Sequence, residues 1–235
     1  LASALGHPVP GVGRELAVYS EQGVARVPDH LTDQQVATLP CAALTAWRAL
    51  FHDARLRPGQ TVLLQGTGGV SIFGLQFAHA AGLETIVTSS SDEKLERARA
   101  LGATHTINYR RYPEWSREVR RLTHGRGVDF VMEVGGAQTL KESLKSIALG
   151  GHIAVVGVVS GTRESLLIPA LITTSARLQG VSVGSREMFE EMARAIALHR
   201  IEPVVDKVYD WKDARAALET MKRGEHFGKI ALTFA

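Results

Sequence analysis

Cysteine is nearly missing from this chain: Cys41 is the single one among 235 residues, so neither an internal disulfide nor a cysteine-rich zinc cage can form. A reducing, cytoplasmic setting is the expectation that follows. Long apolar runs are missing too, since stretches such as Ile153 to Val159 fall far short of the roughly 20 residues a spanning helix needs. The N-terminus shows no basic-then-apolar leader pattern, so neither a membrane nor secretion is expected. Nor is there a block of one charge: 27 Lys and Arg mix with 24 Asp and Glu for a formal charge of +3, which gives no footprint for nucleic acid. Internal repeats and low-complexity tracts are absent. What remains, 45% apolar and 22% charged residues, is a globular composition long enough to bury a core without staples.

Glycine is plentiful, 23 residues against roughly 7% in average proteins, and it clusters just after β-rich runs. Thr61 to Gln65 reads as a buried strand; after a glycine turn, Ile72 to Ala81 reads as a helix stopped by Gly82. The unit repeats with a strand at Thr85 to Thr88 and a helix over Asp92 to Leu101, opened by Ser91 or Asp92 and stopped by Gly102. Further strands are predicted at Thr106 to Asn108, Asp129 to Glu133, His152 to Val156 and Leu178 to Val183, with helices over Glu114 to Thr123 and Gln138 to Ile147. Six strands alternating with helices predict an α/β fold, a doubly wound parallel sheet of the Rossmann kind spanning residues 37–185. Residues 1–36 lack this rhythm; Glu15 to Tyr19 and Val24 to Val27 read as antiparallel strand pieces of another unit. Residues 186–235 read as helices over Met188 to His199 and Lys212 to Arg223 and a last strand from Lys229 to Phe234.

The turn Gln65-Gly66-Thr67-Gly68-Gly69-Val70-Ser71 stands between the first strand and the first helix, where a dinucleotide fold needs its tightest turn. Gly66 permits the sharp turn and Gly68 lets backbone approach a pyrophosphate. The amides from Gly69 onward aim the helix N-terminus at its charge. Ser71 replaces the third glycine of the G-x-G-x-x-G pattern and is small enough for close helix–sheet packing. A phosphate-binding P-loop is excluded because no Lys follows the glycines, and a methyltransferase site lacks its acid at the end of the second strand. That strand ends in Thr88-Ser89-Ser90-Ser91, where an NAD site would carry Asp or Glu on the ribose hydroxyls. Without a carboxylate, serine hydroxyls and Lys94 one turn into the next helix can accept a 2′-phosphate, which favours NADP over NAD. The plainer alternative makes Ser91 an N-cap and Lys94 a solvated helix residue.

Four segments, Leu39-Pro-Cys-Ala-Ala-Leu-Thr-Ala-Trp47, Leu56-Arg-Pro-Gly-Gln-Thr-Val-Leu-Leu-Gln-Gly-Thr-Gly-Gly-Val70, Leu101-Gly-Ala103 and His226-Phe-Gly-Lys229, together resemble the medium-chain dehydrogenase/reductase superfamily. The likeness runs from about Glu15 to the C-terminus and points to zinc-type alcohol dehydrogenases and zinc-free quinone oxidoreductases. It implies a Rossmann-like NAD(P)-binding domain between the end of a GroES-like catalytic domain, residues 1–36, and a C-terminal segment returning to it, residues 186–235. It also implies that most of that catalytic domain, with the first zinc ligands, lies outside this sequence. Cys41 stands where a later cysteine ligand falls, and one ligand cannot hold zinc; zinc is therefore expected only in a full-length form. In the NADPH-using relatives a strand-end Ser, a Lys five residues on and a Tyr in an Asn-Tyr-Arg segment grip the 2′-phosphate. Ser89, Lys94 and Tyr109 match that spacing, with Ser90 adjoining. The resemblance assigns Gly135, Gly157, Val158, Val183 and Gly184 to strand ends lining the adenine and nicotinamide. It places Thr45 near the nicotinamide, and Phe227 and Lys229 beside the cofactor cleft with His226. Core packing is the alternative for Thr45 and the C-terminal residues, and plain turn usage for the glycines.

The implied activity is hydride transfer between NADPH and a small carbonyl, alcohol or quinone substrate, with no catalytic residue assigned. The alternative is a non-catalytic dinucleotide-binding fragment or structural module. A homodimer is expected through the exposed edge of the last sheet strand, near Leu178 to Val183. His79, Trp47 and Phe51 read as packing residues. Arg110, Arg111, Arg117, Arg120 and Arg121 read as a solvated helix face.

Overall fold

The computed structural model describes residues 5–6, 9–166 and 168–234. Strand β1, Thr61–Gln65, is buried at every position, as a strand covered on both faces must be. Its side chains alternate: Val62 and Leu64 join one apolar cluster, and Leu63 joins another on the opposite face. Helix α1, Gly69–Ala80, then crosses over to β2, Glu84–Ser89, and α2, Asp92–Ala100, leads to β3, His105–Asn108. The second half repeats the pattern through α3, Trp115–Leu122, β4, Val128–Glu133, α4, Leu140–Ser146, β5, Ile147–Val155, α5, Ile168–Thr174, and β6, Arg177–Gly180. The six strands are all parallel in the order β3-β2-β1-β4-β5-β6. That order reverses between β1 and β4, which opens a crevice at their carboxyl ends.

One core face packs Phe73 and Phe77 of α1, Leu95 and Ala98 of α2 and Leu39 and Leu50 against the sheet. The other packs Trp115 and Val119 of α3 and Leu144 of α4. Each large apolar side chain removed from water contributes about 1.5–3 kcal/mol, so the two faces together fix the sheet register. Ahead of β1 a helical stretch runs through Leu39–Ala43, Leu44–Trp47 and Arg48–Asp53, the first and third parts in π geometry. Trp47 and Phe51 meet edge to face within it, at 4.6 Å between ring centres. After the sheet come α6, Arg186–His199, β7, Val205–Asp210, α7, Ala214–Arg223, and β8, Lys229–Thr233; β7 and β8 form a separate parallel pair.

Several expectations need correction. Residues 15–19 and 24–27 are not strands: only a 3₁₀ turn, Glu21–Gly23, interrupts irregular chain there, and Leu16 and Val18 are 89% and 99% exposed. A strand needs a neighbour to satisfy its N–H and C=O groups, and none lies beside them among the described residues. The sixth strand runs over Arg177–Gly180 and stops short of Val183; one further bond, Val181 N–H to the Val155 carbonyl, follows before the chain turns through Val183 in left-handed backbone at φ +49°. Helix α5 and strand β7 were not anticipated. His79 is exposed on α1, facing Gly102. The basic cluster divides: Arg111, Arg117 and Arg121 pair with Asp92, Glu114 and Glu118 at the surface. Arg120 instead donates to the carbonyls of Gly125, Arg126, Lys145 and Ile147, tying α3 to the start of β5.

His152 lies in β5 beside Phe130 of β4 and Arg177 of β6, buried, with neither ring nitrogen hydrogen-bonded among the described residues. Burial pushes its pKa down, the Arg177 charge lowers it further, and Asp53 opposes them. The folded state thus holds a neutral imidazole while the unfolded chain takes up a proton near the ordinary value of 6.5. Stability contributed above that pH is lost below it, by up to about 1.4 kcal/mol per pH unit for one group. Melting curves at a series of pH values should show Tm falling from about pH 7 to pH 5, and His152→Phe should flatten that fall. An unchanged slope would contradict this assignment.

Candidate functional site

Gln65, the last residue of β1, is buried and hands the chain to the glycine turn. Gly66 turns at φ +71°, a backbone that favours glycine, and its N–H donates to Thr88 Oγ1 at the end of β2. Gly68 is the N-cap of α1 in extended backbone, with no side chain to cap the helix. A Cβ at Gly66 or Gly68 would meet no protein atom within 4 Å, so the turn is open at these two positions. At Gly68, where φ is −79°, neither strain nor packing requires glycine, and its backbone is left uncovered by side chains. Ser71 uses its hydroxyl to donate to the Gln65 carbonyl at 2.6 Å, so the departure from the glycine pattern ties the turn to its strand. Close helix–sheet approach falls to Gly74, whose Cβ would stand 3.1 Å from Leu64. Thr67 is buried and Val70 is packed against the core.

The second strand end carries no carboxylate. Ser89 is buried; its hydroxyl accepts from the Ser91 N–H, and its carbonyl accepts from Tyr109 N–H at 3.0 Å. Ser90 adjoins it, half-buried, and the Tyr109 ring is 41% exposed. Ser91 caps α2 through the Lys94 N–H, and Asp92 is engaged by Asn108 and Arg111. The Lys94 ammonium is not free in solvent: it donates to the carbonyls of Gly224 at 2.5 Å and His226 at 2.9 Å. Burial lowers its pKa, with Asp206 opposing. Phe227 is fully buried beneath the Arg97 guanidinium, 4.2 Å from its ring centre, and the same arginine pairs with Asp206 at 2.8 Å. Gly228 N–H donates to the Thr67 carbonyl at 2.9 Å, and the Lys229 stem crosses Gly69 so closely that a Cβ there would collide with it. Residues 224–229 therefore lie as a strap from α2 to the glycine turn. Within it, His226 Nδ1 is buried without a partner among the described residues, and burial beside Lys94 pushes its pKa down.

The third wall rests on a buried carboxylate at the end of β4. Glu133 is 0% exposed. Its Oε1 accepts from the N–H groups of Gly135 and Gly136, both at 2.9 Å, and from Thr139 Oγ1. Its Oε2 accepts from Gln65 Nε2 at 2.8 Å and from Ser143 Oγ. Gln65 in turn accepts from Val134 N–H through Oε1. A glutamate in a fully buried strand demands such partners, which was the available signal. The turn after β5 lies against this one: a Cβ on Gly157 would stand 2.5 Å from the Val134 carbonyl, and Val158 beside it is exposed. Beyond β6, Val183 keeps its strained φ while Arg48 donates to the Ser182 carbonyl at 3.2 Å, and Gly184 presses on Leu44. Thr45, next to Leu44, is buried in the same helical stretch, whose Ala42 reaches Gly69.

The structure thus gathers Gly66 to Val70, Ser89, Ser90, Tyr109, Gly135, Gly157, Val158, Val183 and Gly184 at the carboxyl ends of the six strands. Lys229 reaches them through the strap. Thr45 and Phe227 are packed among protein atoms, and the Lys94 ammonium points to backbone carbonyls. For zinc the donors do not fit: Cys41 is exposed, and no three His, Cys, Asp or Glu side chains form a ligand set among the described residues. Glu133→Gln places an amide donor among donors inside the buried network and should cost about 3 kcal/mol. Chemical denaturation measures this; a loss below about 1 kcal/mol would mean that the carboxylate does not hold the turn.

A family model described as zinc-binding dehydrogenase matches residues 69–198. The chain is 44% identical to a zinc-type alcohol dehydrogenase-like protein of Schizosaccharomyces pombe, over 98% of this chain and 68% of that one. It superposes on a solved NAD-dependent alcohol dehydrogenase with a TM-score of 0.92 at 33% identity, covering 98% of this chain and 67% of that one. On a mycobacterial protein solved with NADPH the TM-score is 0.79 at 30% identity, covering 89% and 68%. The chain spans 68% and 64% of the length of two curated relatives it matches. The glycine turn between β1 and α1, the strand order and these likenesses agree, and the chain belongs to the zinc-binding dehydrogenase family of the medium-chain dehydrogenase/reductase superfamily.

Proposed function

We propose that the chain binds NADP(H) across the carboxyl ends of its sheet, as the cofactor-binding part of an oxidoreductase. The hydride would pass between NADPH and a small carbonyl, alcohol or quinone substrate. The observation that carries this reading is the open glycine turn at Gly66 and Gly68 facing a second strand that ends in serines. Amides from Gly69 to Val70 would hold the pyrophosphate at the N-terminus of α1. Ser89, Ser90, Tyr109 and Lys94 would hold the 2′-phosphate, an arrangement that a strand-end carboxylate would repel. Gly135, Gly157 and Val158 would line the adenine side and the middle of the cleft, with Val183, Gly184 and Thr45 near the nicotinamide. Phe227 and Lys229 would close the cleft from the strap. The nicotinamide supplies the hydride chemistry when bound, and the protein orients it and shields it from water.

One neighbour is described as NAD-dependent and another was solved with NADPH, so the cofactor preference rests on this chain's own residues. A charge-assisted contact contributes roughly 1.5–3 kcal/mol, tenfold or more in affinity. Calorimetric titration should therefore show NADPH binding at least about tenfold tighter than NADH, with Lys94→Ala removing most of the difference. Equal dissociation constants would overturn the preference, and no binding by either would leave a dinucleotide fold without its ligand.

Residues 1–36, 37–185 and 186–235 are proposed as the end of a catalytic domain, the cofactor domain and a returning segment. A cytoplasmic location is proposed with them; no helix among the described residues is long and apolar enough to cross a membrane. β6 is an edge of the six-stranded sheet, and pairing of two such edges is the proposed route to a homodimer. Light scattering at micromolar concentration should give twice the chain mass of 25.4 kDa; a monomer would contradict the pairing.

A further inference from the structure

The strap over residues 224–229 meets the candidate cofactor site twice. At one end Lys94 Nζ donates to the Gly224 and His226 carbonyls; at the other, Gly228 N–H donates to the Thr67 carbonyl inside the glycine turn. A lysine ammonium carries three N–H donors and no acceptor, so two are committed to the strap and one remains. The carboxylates near Lys94 are largely engaged: Asp206 pairs with Arg97, Glu225 pairs with Arg223, and Glu93 stands on the exposed side of α2. His226, with its buried unpartnered Nδ1, stands beside both Lys94 and Lys229.

Resting on the NADP(H) reading above, we infer that Lys94 is a positioning residue as well as a phosphate ligand. Two of its N–H groups fasten the C-terminal strap to α2, and the third takes the 2′-phosphate. Docking of the strap and binding of a 2′-phosphorylated dinucleotide therefore strengthen each other. The two effects are reciprocal: whatever a fastened strap adds to NADPH affinity, NADPH adds to the closure of the strap. A dinucleotide with a bare 2′-hydroxyl occupies the glycine turn without engaging the ammonium and leaves that closure as it was. Cofactor identity is thereby transmitted to Phe227 and Lys229, which sit further along the same strap.

Hydrogen–deuterium exchange of residues 224–228 tests this, with the Gly228 amide reporting closure on Thr67 directly. The full 235-residue chain is compared free and saturated with NADPH, with NADH and with adenosine 2′,5′-bisphosphate. NADPH and the bisphosphate should slow exchange of the strap about fivefold or more beyond NADH, the size of an ordinary coupling. In Lys94→Met the strap should exchange faster than wild type even without ligand, and the gap between the cofactors should close. Arg97→Ala removes the other fastening and should loosen the strap while keeping the gap, which separates general loosening from the phosphate effect. If Lys94→Met does not fold, judged by circular dichroism, Lys94→Gln takes its place. Tighter binding of NADPH with equal strap exchange in both cofactors would overturn the coupling and leave the NADP(H) reading standing. Absence of binding by any of the three in calorimetry would overturn both.

Discussion

The site depends first on a charge placed where charge is expensive. Glu133 sits at the end of a central strand with no exposed surface, and an unpaired carboxylate there would cost several kcal/mol. Five donors meet it, and three of them belong to the turn it holds: the amides of Gly135 and Gly136 and the hydroxyl of Thr139. The other two, Gln65 and Ser143, come from the end of β1 and the middle of α4. The carboxylate therefore locks β1, β4 and α4 together at the level of the crevice. A neutral apolar residue would take the shared acceptor from all five donors and leave the Gly136 N–H with none, while Gly135, Gln65 and Thr139 would keep only their weaker or secondary contacts to one another. Gln65 stands in this network and begins the glycine turn, so the rigidity of one passes into the position of the other.

A second set of fastenings acts from the opposite side. Arg97 covers Phe227 and pairs with Asp206, Lys94 holds two carbonyls, and Gly228 zips onto Thr67. These bonds bring the C-terminal residues onto α2 and the glycine turn, which the first half of the fold builds. Charge-assisted contacts to α2 suit this task because they are directional and each is only part-buried, so the strap can open locally without unfolding the sheet. The Glu133 network is fully buried and has no such freedom. One wall of the cleft is thus built to stay fixed, and the other is held by groups that a bound anion can engage.

What the sequence made legible was whatever local chemistry dictates. β1, the glycine turn and α1 announce themselves through a short apolar run, the glycines at 66, 68 and 69 and a helix stopped before Gly82. The serine cap at Ser91 follows from spacing alone. Glu133's role was hidden because its partners at positions 65, 139 and 143 are gathered by the fold, not by spacing. β7 was hidden because Asp206 and Lys207 break its apolar pattern and its partner β8 comes only after α7. The opposite error occurred at 15–19 and 24–27, where strand-like alternation exists without a neighbour to pair with. Lys94 shows the limit of motif matching: its spacing from Ser89 fits a phosphate ligand, yet its ammonium spends two bonds on carbonyls more than a hundred residues away.

Val183 lies past the carboxyl end of β6, at the far side of the crevice. A β-branched residue in left-handed backbone costs on the order of 1–3 kcal/mol, and a glycine or asparagine would relieve it. The cost persists because the surroundings over-determine the turn: Arg48 donates to the carbonyls of Ser182 and Val183, and Gly184 is pressed on Leu44. The strained turn follows β6 where the helical stretch bearing Thr45 packs beside it, Leu44 against Gly184. The two arginine bonds and the glycine contact together hold this turn in one conformation despite its strain.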